Sequence, residues 1–302
     1  MTLNGTPSAQ NPAAPAGAAC AATRARGLAV VVPASNEETT IGRCLTALVD
    51  SAVPRDLPVT VVVAANGCTD ATVAKAQGFA PRFEARGWGF RVLDLPEPGK
   101  IAALNAGDAA APGAMRAYLD ADVKLSRPLL GQIVTALDRD TPVFASGSVR
   151  IPRPSTAASR AYRRFYLGVP FMTHGVPGCG FFAVNAAGRA RWDRFPDVIA
   201  DDIFARLQFA PHERVGVPAG YEWPLVEGWS NLVRVRRRQD AGVAEIARRF
   251  PELMANEDKP PFRAGDILRR AAGDPLAFAV YGGVAAAVRL TARRAQGWSR
   301  GR

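Results

Sequence analysis

Asp120 and Asp122, separated by Ala121, close the apolar run Ala117-Tyr118-Leu119 with two carboxylates that could share a metal ion. On an extended backbone residues i and i+2 project to the same side, so both carboxylates reach one hard divalent cation, Mn²⁺ or Mg²⁺. Such a cation keeps open positions for phosphate oxygens and water, and gripping a diphosphate activates it as a leaving group. Asp-x-Asp also occurs by chance in surface turns, so its weight depends on what surrounds it.

Around it the chain alternates strands with helices. Leu28 to Pro33 is a branched apolar run closed by proline, the pattern of a buried parallel strand. Ala34-Ser35-Asn36-Glu37-Glu38 follows, with Ser35 or Asn36 as a cap, the glutamates in the first helical turn, and Ile41, Leu45 and Leu48 as the apolar face. A second strand, Val59 to Val63, runs into a polar loop containing Asn66-Gly67 and Asp70. A third, Phe90 to Leu95, leads to Pro98-Gly99-Lys100 and a helix over Ile101 to Ala110 that carries Leu104, Asn105 and Gly107. Tyr118-Leu119 is the fourth. This order predicts an α/β fold with a Rossmann-like, mostly parallel central sheet flanked by helices, and ligands bound beyond the carboxyl ends of the strands.

In order along the chain, VVPASNEE (31–38), NGCTDAT (66–72), GKIAALNAG (99–107), YLDAD (118–122), GCGFF (178–182) and ADDIFARL (200–207) resemble the motifs of nucleotide-sugar glycosyltransferases of the GT-A fold, specifically glycosyltransferase family 2. The resemblance covers about residues 27 to 242. It implies inverting, metal-dependent transfer of a sugar to an acceptor hydroxyl, in glycan, glycolipid or cell-envelope biosynthesis. Asp122 would hold the cation on the donor diphosphate, with Asp120 nearer the ribose and the metal's water shell. Asp202 would be the base that accepts the acceptor proton, with Asp201 orienting the site. Pro33, Asn36, Glu37, Asn66, Asp70, Lys100 and Asn105 would face the donor, and Gly178 and Gly180 the acceptor side.

Each of these residues also has a structural reading. Asp201 and Asp202 suit the cap of a helix beginning near Ile203, Asn36, Glu37 and Asp70 suit helix caps, and Lys100 suits either a solvated surface or a diphosphate at a helix start. The sequence departs from the family pattern at three places. Asp201 stands where Glu is usual, Ala64-Ala65 stands where an acid usually reads the nucleotide base, and Gln239 stands where processive synthases carry Trp. The last departure points to single addition. Arg236 and Arg238 remain in register for a closing loop that neutralises diphosphate, or belong to a basic surface strand or helix end.

A chain of 302 residues with 48% hydrophobic content suits one catalytic domain over 27–242, with a nucleotide-binding half to about 123 and an acceptor half from about 124. Residues 1–26, rich in Ala and Pro, read as a disordered tail and not a secretory signal, and 243–302 as a basic helical extension. Cysteines at 20, 44, 68 and 179 lack metal-type spacing, which favours the reducing cytoplasm. Of the net charge of +11, most falls from Gly228 onward, where 15 Lys/Arg face 7 Asp/Glu. Motifs of a nucleic-acid module are not evident, so nucleic acid is not expected as a partner. Pro275 to Val288 is uncharged, flanked by arginines, and too short to span a bilayer. It suits either a core helix with a basic outer face or peripheral association with the cytoplasmic face of a membrane, which would bring the enzyme to a lipid-linked acceptor. A nucleotidyltransferase acting on sugar phosphates and a non-catalytic sugar-nucleotide-binding scaffold are the alternatives from other classes.

Overall fold

The structure is a computed structural model that describes residues 27–111, 113 and 115–291, so the tail expected at 1–26 lies outside the described residues. Its first half runs β1 (Leu28–Ala34), α1 (Ile41–Val49), β2 (Val59–Asn66), α2 (Thr72–Gln77), α3 (Ala80–Glu84), β3 (Gly89–Leu95), α4 (Lys100–Ala110) and β4 (Met115–Leu119). There follow β5 (Lys124–Leu125), α5 (Leu129–Leu137), β6 (Phe144–Arg150), α6 (Ala157–Tyr166), α7 (Pro170–Thr173), β7 (Phe181–Val184), α8 (Ala186–Arg189), α9 (Asp201–Leu207) and β8 (Arg214–Glu222). Helices α10 (Trp229–Arg249), α11 (Ala264–Gly273) and α12 (Pro275–Thr291) are the last described elements.

The eight strands form one mixed sheet in the order β3-β2-β1-β4-β7-β6-β8-β5. The first four strands are mutually parallel, whereas β7 runs antiparallel to both β4 and β6. Strand β1 shows why the sequence folds this way. Every residue in it is buried, and alternate side chains serve opposite faces. Leu28, Val30 and Val32 join Ile41, Leu45 and Leu48 of α1 in one core cluster, while Ala29 and Val31 join Leu104 of α4 in the other. Helix α4 lies so close that a Cβ on Gly107 would collide with Val31 Cγ1, which is why that position carries glycine.

One local reading is corrected. Helix α1 begins at Ile41, with Glu37 and Glu38 in a turn before it; the Glu37 carbonyl accepts from the N–H groups of Thr40 (3.0 Å) and Ile41 (2.8 Å). Position 242 lies inside α10. Helix α12 packs on α6 and α10, and Tyr162, Phe165 and Tyr166 of α6 share a buried cluster with Leu232, Ala277 and Val284. These aromatic residues pack α6 against α10 and α12. Among the described residues no helix is long and apolar enough to cross a membrane.

Candidate active site

Strands β1 and β4 are neighbours, yet the chain moves from β1 outward through β2 and β3 before α4 returns it to β4. The crevice beyond their carboxyl ends is therefore a topological switch point, where open α/β sheets bind ligands. A small pocket lies there. Its walls include Pro33 at the end of β1, Lys100 at the start of α4, Asp120 just after β4, Gly180 before β7, and Asp201 and Asp202 at the start of α9.

The Asp120–Val123 segment is a turn and not the extended backbone expected from the spacing, because the Val123 N–H donates to the Asp120 carbonyl (3.1 Å). The chain has to turn here so that Lys124 and Leu125 can pair with β8. The Asp120 N–H donates in turn to the Gly180 carbonyl (2.9 Å), which fixes the turn against the glycine-rich segment. Gly180 has a φ of +72°, and a Cβ there would stand 2.7 Å from Trp223 Cδ1 and 2.9 Å from Val123 Cγ2. Gly178, with a φ of +70°, would meet Phe144 Cζ at 2.6 Å. Gly180→Ala is expected to lower stability by about 1–3 kcal/mol through overpacking and to displace Asp120. Denaturant unfolding checks the first effect and donor affinity the second; an unaltered variant would show that the segment yields freely.

Lys100 joins the two carboxylate motifs. Its Nζ lies 2.9 Å from Asp120 Oδ1 and 3.0 Å from Asp201 Oδ1. Burial pushes the Asp201 carboxyl up from its ordinary range; Lys100 opposes that shift, while Asp202 and Asp120 reinforce it. Desolvation favours a neutral Lys100, but the surrounding Asp120, Asp201 and Asp202 outweigh it and hold the ammonium above its usual value. The Lys100 side chain is 40% exposed, so solvent screens part of this attraction. Asp202 sits in the first turn of α9, and its Oδ1 accepts from the Ile203 N–H (2.8 Å). Beneath the turn the buried Cys44 thiol donates to the Asp120 carbonyl (3.7 Å). Burial, followed by the charges of Asp122, Asp120 and Glu37, keeps that thiol protonated.

Other residues singled out from the sequence support the pocket without forming its wall. Asn36 adopts a φ of +55°, and its Oδ1 accepts from the Thr69 N–H (2.8 Å). The Glu37 N–H donates to Thr72 Oγ1 (2.7 Å), and the Asp70 carboxylate accepts from the N–H groups of Glu38 (3.2 Å) and Thr72 (3.0 Å). Asn66 is buried; its Nδ2 donates to the Ala34 carbonyl (2.9 Å) and its Oδ1 accepts from the Gly99 N–H (2.9 Å). Asn105 exchanges both amide groups with the backbone of Phe195, at 3.0 and 2.9 Å. These bonds tie together the loops after β1, β2 and β3 and the segment that leads to α9.

Arg236 and Arg238 lie on helix α10 and not in a loop. Arg236 donates to Tyr281 Oη (2.9 Å) and Asp240 Oδ1 (2.8 Å), and Arg238 is exposed on the same helix. The sequence reading missed the ion cluster behind the site. Arg206, fully buried on α9, donates to Glu257 (2.6 Å) and Asp258 (3.1 Å), and Arg214 donates to Asp258 (2.9 Å). The Arg-Leu ending of the 200–207 motif was the available signal; the acids lie 51 and 52 positions away, beyond any local pattern.

The sequence model of glycosyl transferase family 2 matches residues 29–194. No curated protein matches the chain in sequence. Among solved structures, the mannosyltransferase PcManGT from Pyrobaculum calidifontis, in complex with GDP-Man and Mn²⁺, is 23% identical with a TM-score of 0.57, over 91% of this chain and 77% of that one. Glucosyl-3-phosphoglycerate synthase from Mycobacterium tuberculosis, in complex with Mn²⁺, UDP and glucosyl-3-phosphoglycerate, is 20% identical with a TM-score of 0.51, over 77% of this chain and 81% of that one. S. aureus TarS 1-349 in complex with UDP gives 14% and 0.50, over 82% and 72%. These likenesses establish a GT-A fold.

Proposed function

Because the chain belongs to glycosyl transferase family 2, we propose that it transfers a sugar from a nucleotide-diphosphate donor to an acceptor hydroxyl in one metal-dependent, inverting addition, within glycan, glycolipid or cell-envelope synthesis. Family membership makes the protein a glycosyltransferase and sets aside the nucleotidyltransferase and the non-catalytic scaffold. The observation that carries the finer reading is the convergence of Asp120, Lys100, Asp201 and Asp202 on one pocket, since they come from three separate motifs.

The donor set suits Mn²⁺ or Mg²⁺. Asp120 and Asp122 offer the hard oxygens that such a cation prefers, and two protein carboxylates would leave positions for diphosphate oxygens and water. Both the mannosyltransferase and the glucosyl-3-phosphoglycerate synthase structures contain Mn²⁺. When bound, the cation would supply Lewis-acid neutralisation of the departing diphosphate. The chain's own residues supply the rest. Asp202 accepts the acceptor proton as the new bond forms on the face opposite the diphosphate. Asp201, held by Lys100, fixes the start of α9 and so the base. Lys100 adds positive charge beside the leaving group. Since Asn66 is engaged with backbone groups and Ala65 has no polar side chain, base recognition falls to backbone groups or to a base other than uracil.

The test is a panel of UDP-, GDP- and dTDP-sugars with Mn²⁺, with Mg²⁺ and with chelator, read by thermal stabilisation and by nucleoside-diphosphate release. One donor is expected to raise the melting temperature only when metal is present. Stabilisation that survives chelation would overturn the metal dependence, and no response to any donor would overturn the nucleotide-sugar reading.

A further inference from the structure

Helix α12 is apolar on nearly every side. Between Pro275 and Val288 its one polar side chain is Tyr281, whose hydroxyl accepts from Arg236. Ala277, Val284 and Val288 form the buried side. On the outward side, where a helix at the surface of a water-soluble domain carries polar residues, stand Leu276 (63% exposed), Phe278 (38%) and Leu290 (81%), with Ala279 and Ala286 exposed between them. Leu276 and Leu290 are 14 positions apart, close to four turns, so they share a face. The neighbouring helix α11 adds Leu268, 69% exposed. Four of the seven exposed large apolar residues among those described therefore lie on these two helices.

The charge around this patch has one sign. Arg263, Arg269 and Arg270 are exposed on and beside α11, and Arg289 is exposed next to Leu290. The two acids of the region are paired, Asp266 with Arg269 (2.9 Å) and Asp274 with Arg164 (2.5 Å). From Pro260 to the end the sequence has eight arginines, two aspartates and no glutamate, four of the arginines falling after Thr291. A second copy of the chain would bring the same charges face to face, which disfavours self-association. An anionic surface is the complement.

We propose that α11 and α12 form a docking surface for an anionic lipid bilayer, lying in the interface with Leu268, Leu276 and Leu290 in the acyl boundary and the arginines on the headgroups. Among the described residues neither helix is long and apolar enough to cross a bilayer, so the proposed attachment is peripheral and salt-sensitive. The inference concerns binding alone and stands apart from the sugar-transfer reading.

The experiment is co-sedimentation of the full chain with vesicles of phosphatidylcholine, with and without phosphatidylglycerol, across a salt series. Arginines at the surface contribute about fivefold each, so partition onto the anionic vesicles is expected to be at least about tenfold stronger. Leu276→Glu with Leu290→Glu is expected to abolish that binding while the melting temperature holds; Leu268→Glu, on the other helix, is expected to weaken it without touching α12. Equal partition onto both vesicle types would overturn the proposal, as would folded variants that bind like the wild type. A wild-type dimer converted to monomer by the same substitutions would do so too, by making a second copy the occupant.

Discussion

Asp202→Asn is expected to lower the transfer rate about 10²- to 10⁴-fold and to leave the melting temperature unchanged. Asparagine has nearly the shape of aspartate, and its side-chain oxygen still accepts from the Ile203 N–H, so the first turn of α9 keeps its bond. It has no basic site for the acceptor proton. The loss should therefore appear in turnover and not in donor binding. Asp201→Asn serves as the contrast. It removes a carboxylate that Lys100 holds at 3.0 Å in a buried setting, so both donor affinity and thermal stability should move with activity. Steady-state rates from nucleoside-diphosphate release, with a donor thermal-shift series on each variant, separate the two roles. An Asp202→Asn enzyme that turns over like the wild type would remove Asp202 from catalysis.

Arg206→Ala is expected to lower stability by about 3–5 kcal/mol, the usual range for breaking a buried ion pair from one side. The guanidinium is fully buried, and its loss leaves Glu257 with only the more distant Lys259 (3.8 Å) as an ion-pair partner, while Asp258 keeps Arg214. Asp202 precedes Arg206 by one helical turn on α9, so loosening this anchor should also reduce activity. Acidity offers a separate check. Burial raises the Glu257 carboxyl, but the hydrogen bond and charge of Arg206 lower it further, leaving it below its ordinary value. Its contribution to stability is thus complete above the unfolded value of about 4.3 and is lost as pH falls through the depressed folded value. In the variant that acid-side loss should shrink, because the carboxyl no longer has the guanidinium to hold it down. Urea unfolding at neutral pH and across the acid range measures both effects. A loss below about 1 kcal/mol at neutral pH would show that the cluster contributes little beyond an apolar replacement.

Much of the first half was legible because its signals are local. The apolar runs of β1 to β4, the Gly-Lys start of α4 and the turn residues after β2 each act within a few positions. Where local rules competed, boundaries moved. The sequence suggests helical glutamates after β1, but Asp70 of the next loop and Thr72 at the start of α2 bind the backbone of Glu38 and Glu37 and hold that stretch as a turn. Arg236 and Arg238 suit either a closing loop or a basic surface strand or helix end by sequence, yet the segment has no helix breaker, and Tyr281 from a distant helix gives Arg236 a partner.

The alternating α/β order, the family resemblance and the motif to which each carboxylate belongs are written in short stretches of sequence. What those side chains touch depends on the packed fold. Asn66 and Asn105, polar and well placed in their motifs, meet backbone groups of Ala34, Gly99 and Phe195, while Lys100 bridges two acids 81 positions apart in sequence. The cause is physical: helix and strand formation follow from backbone geometry over a few residues, whereas hydrogen-bond partners and buried charges are set by which distant segments the packed sheet brings within about 3 Å.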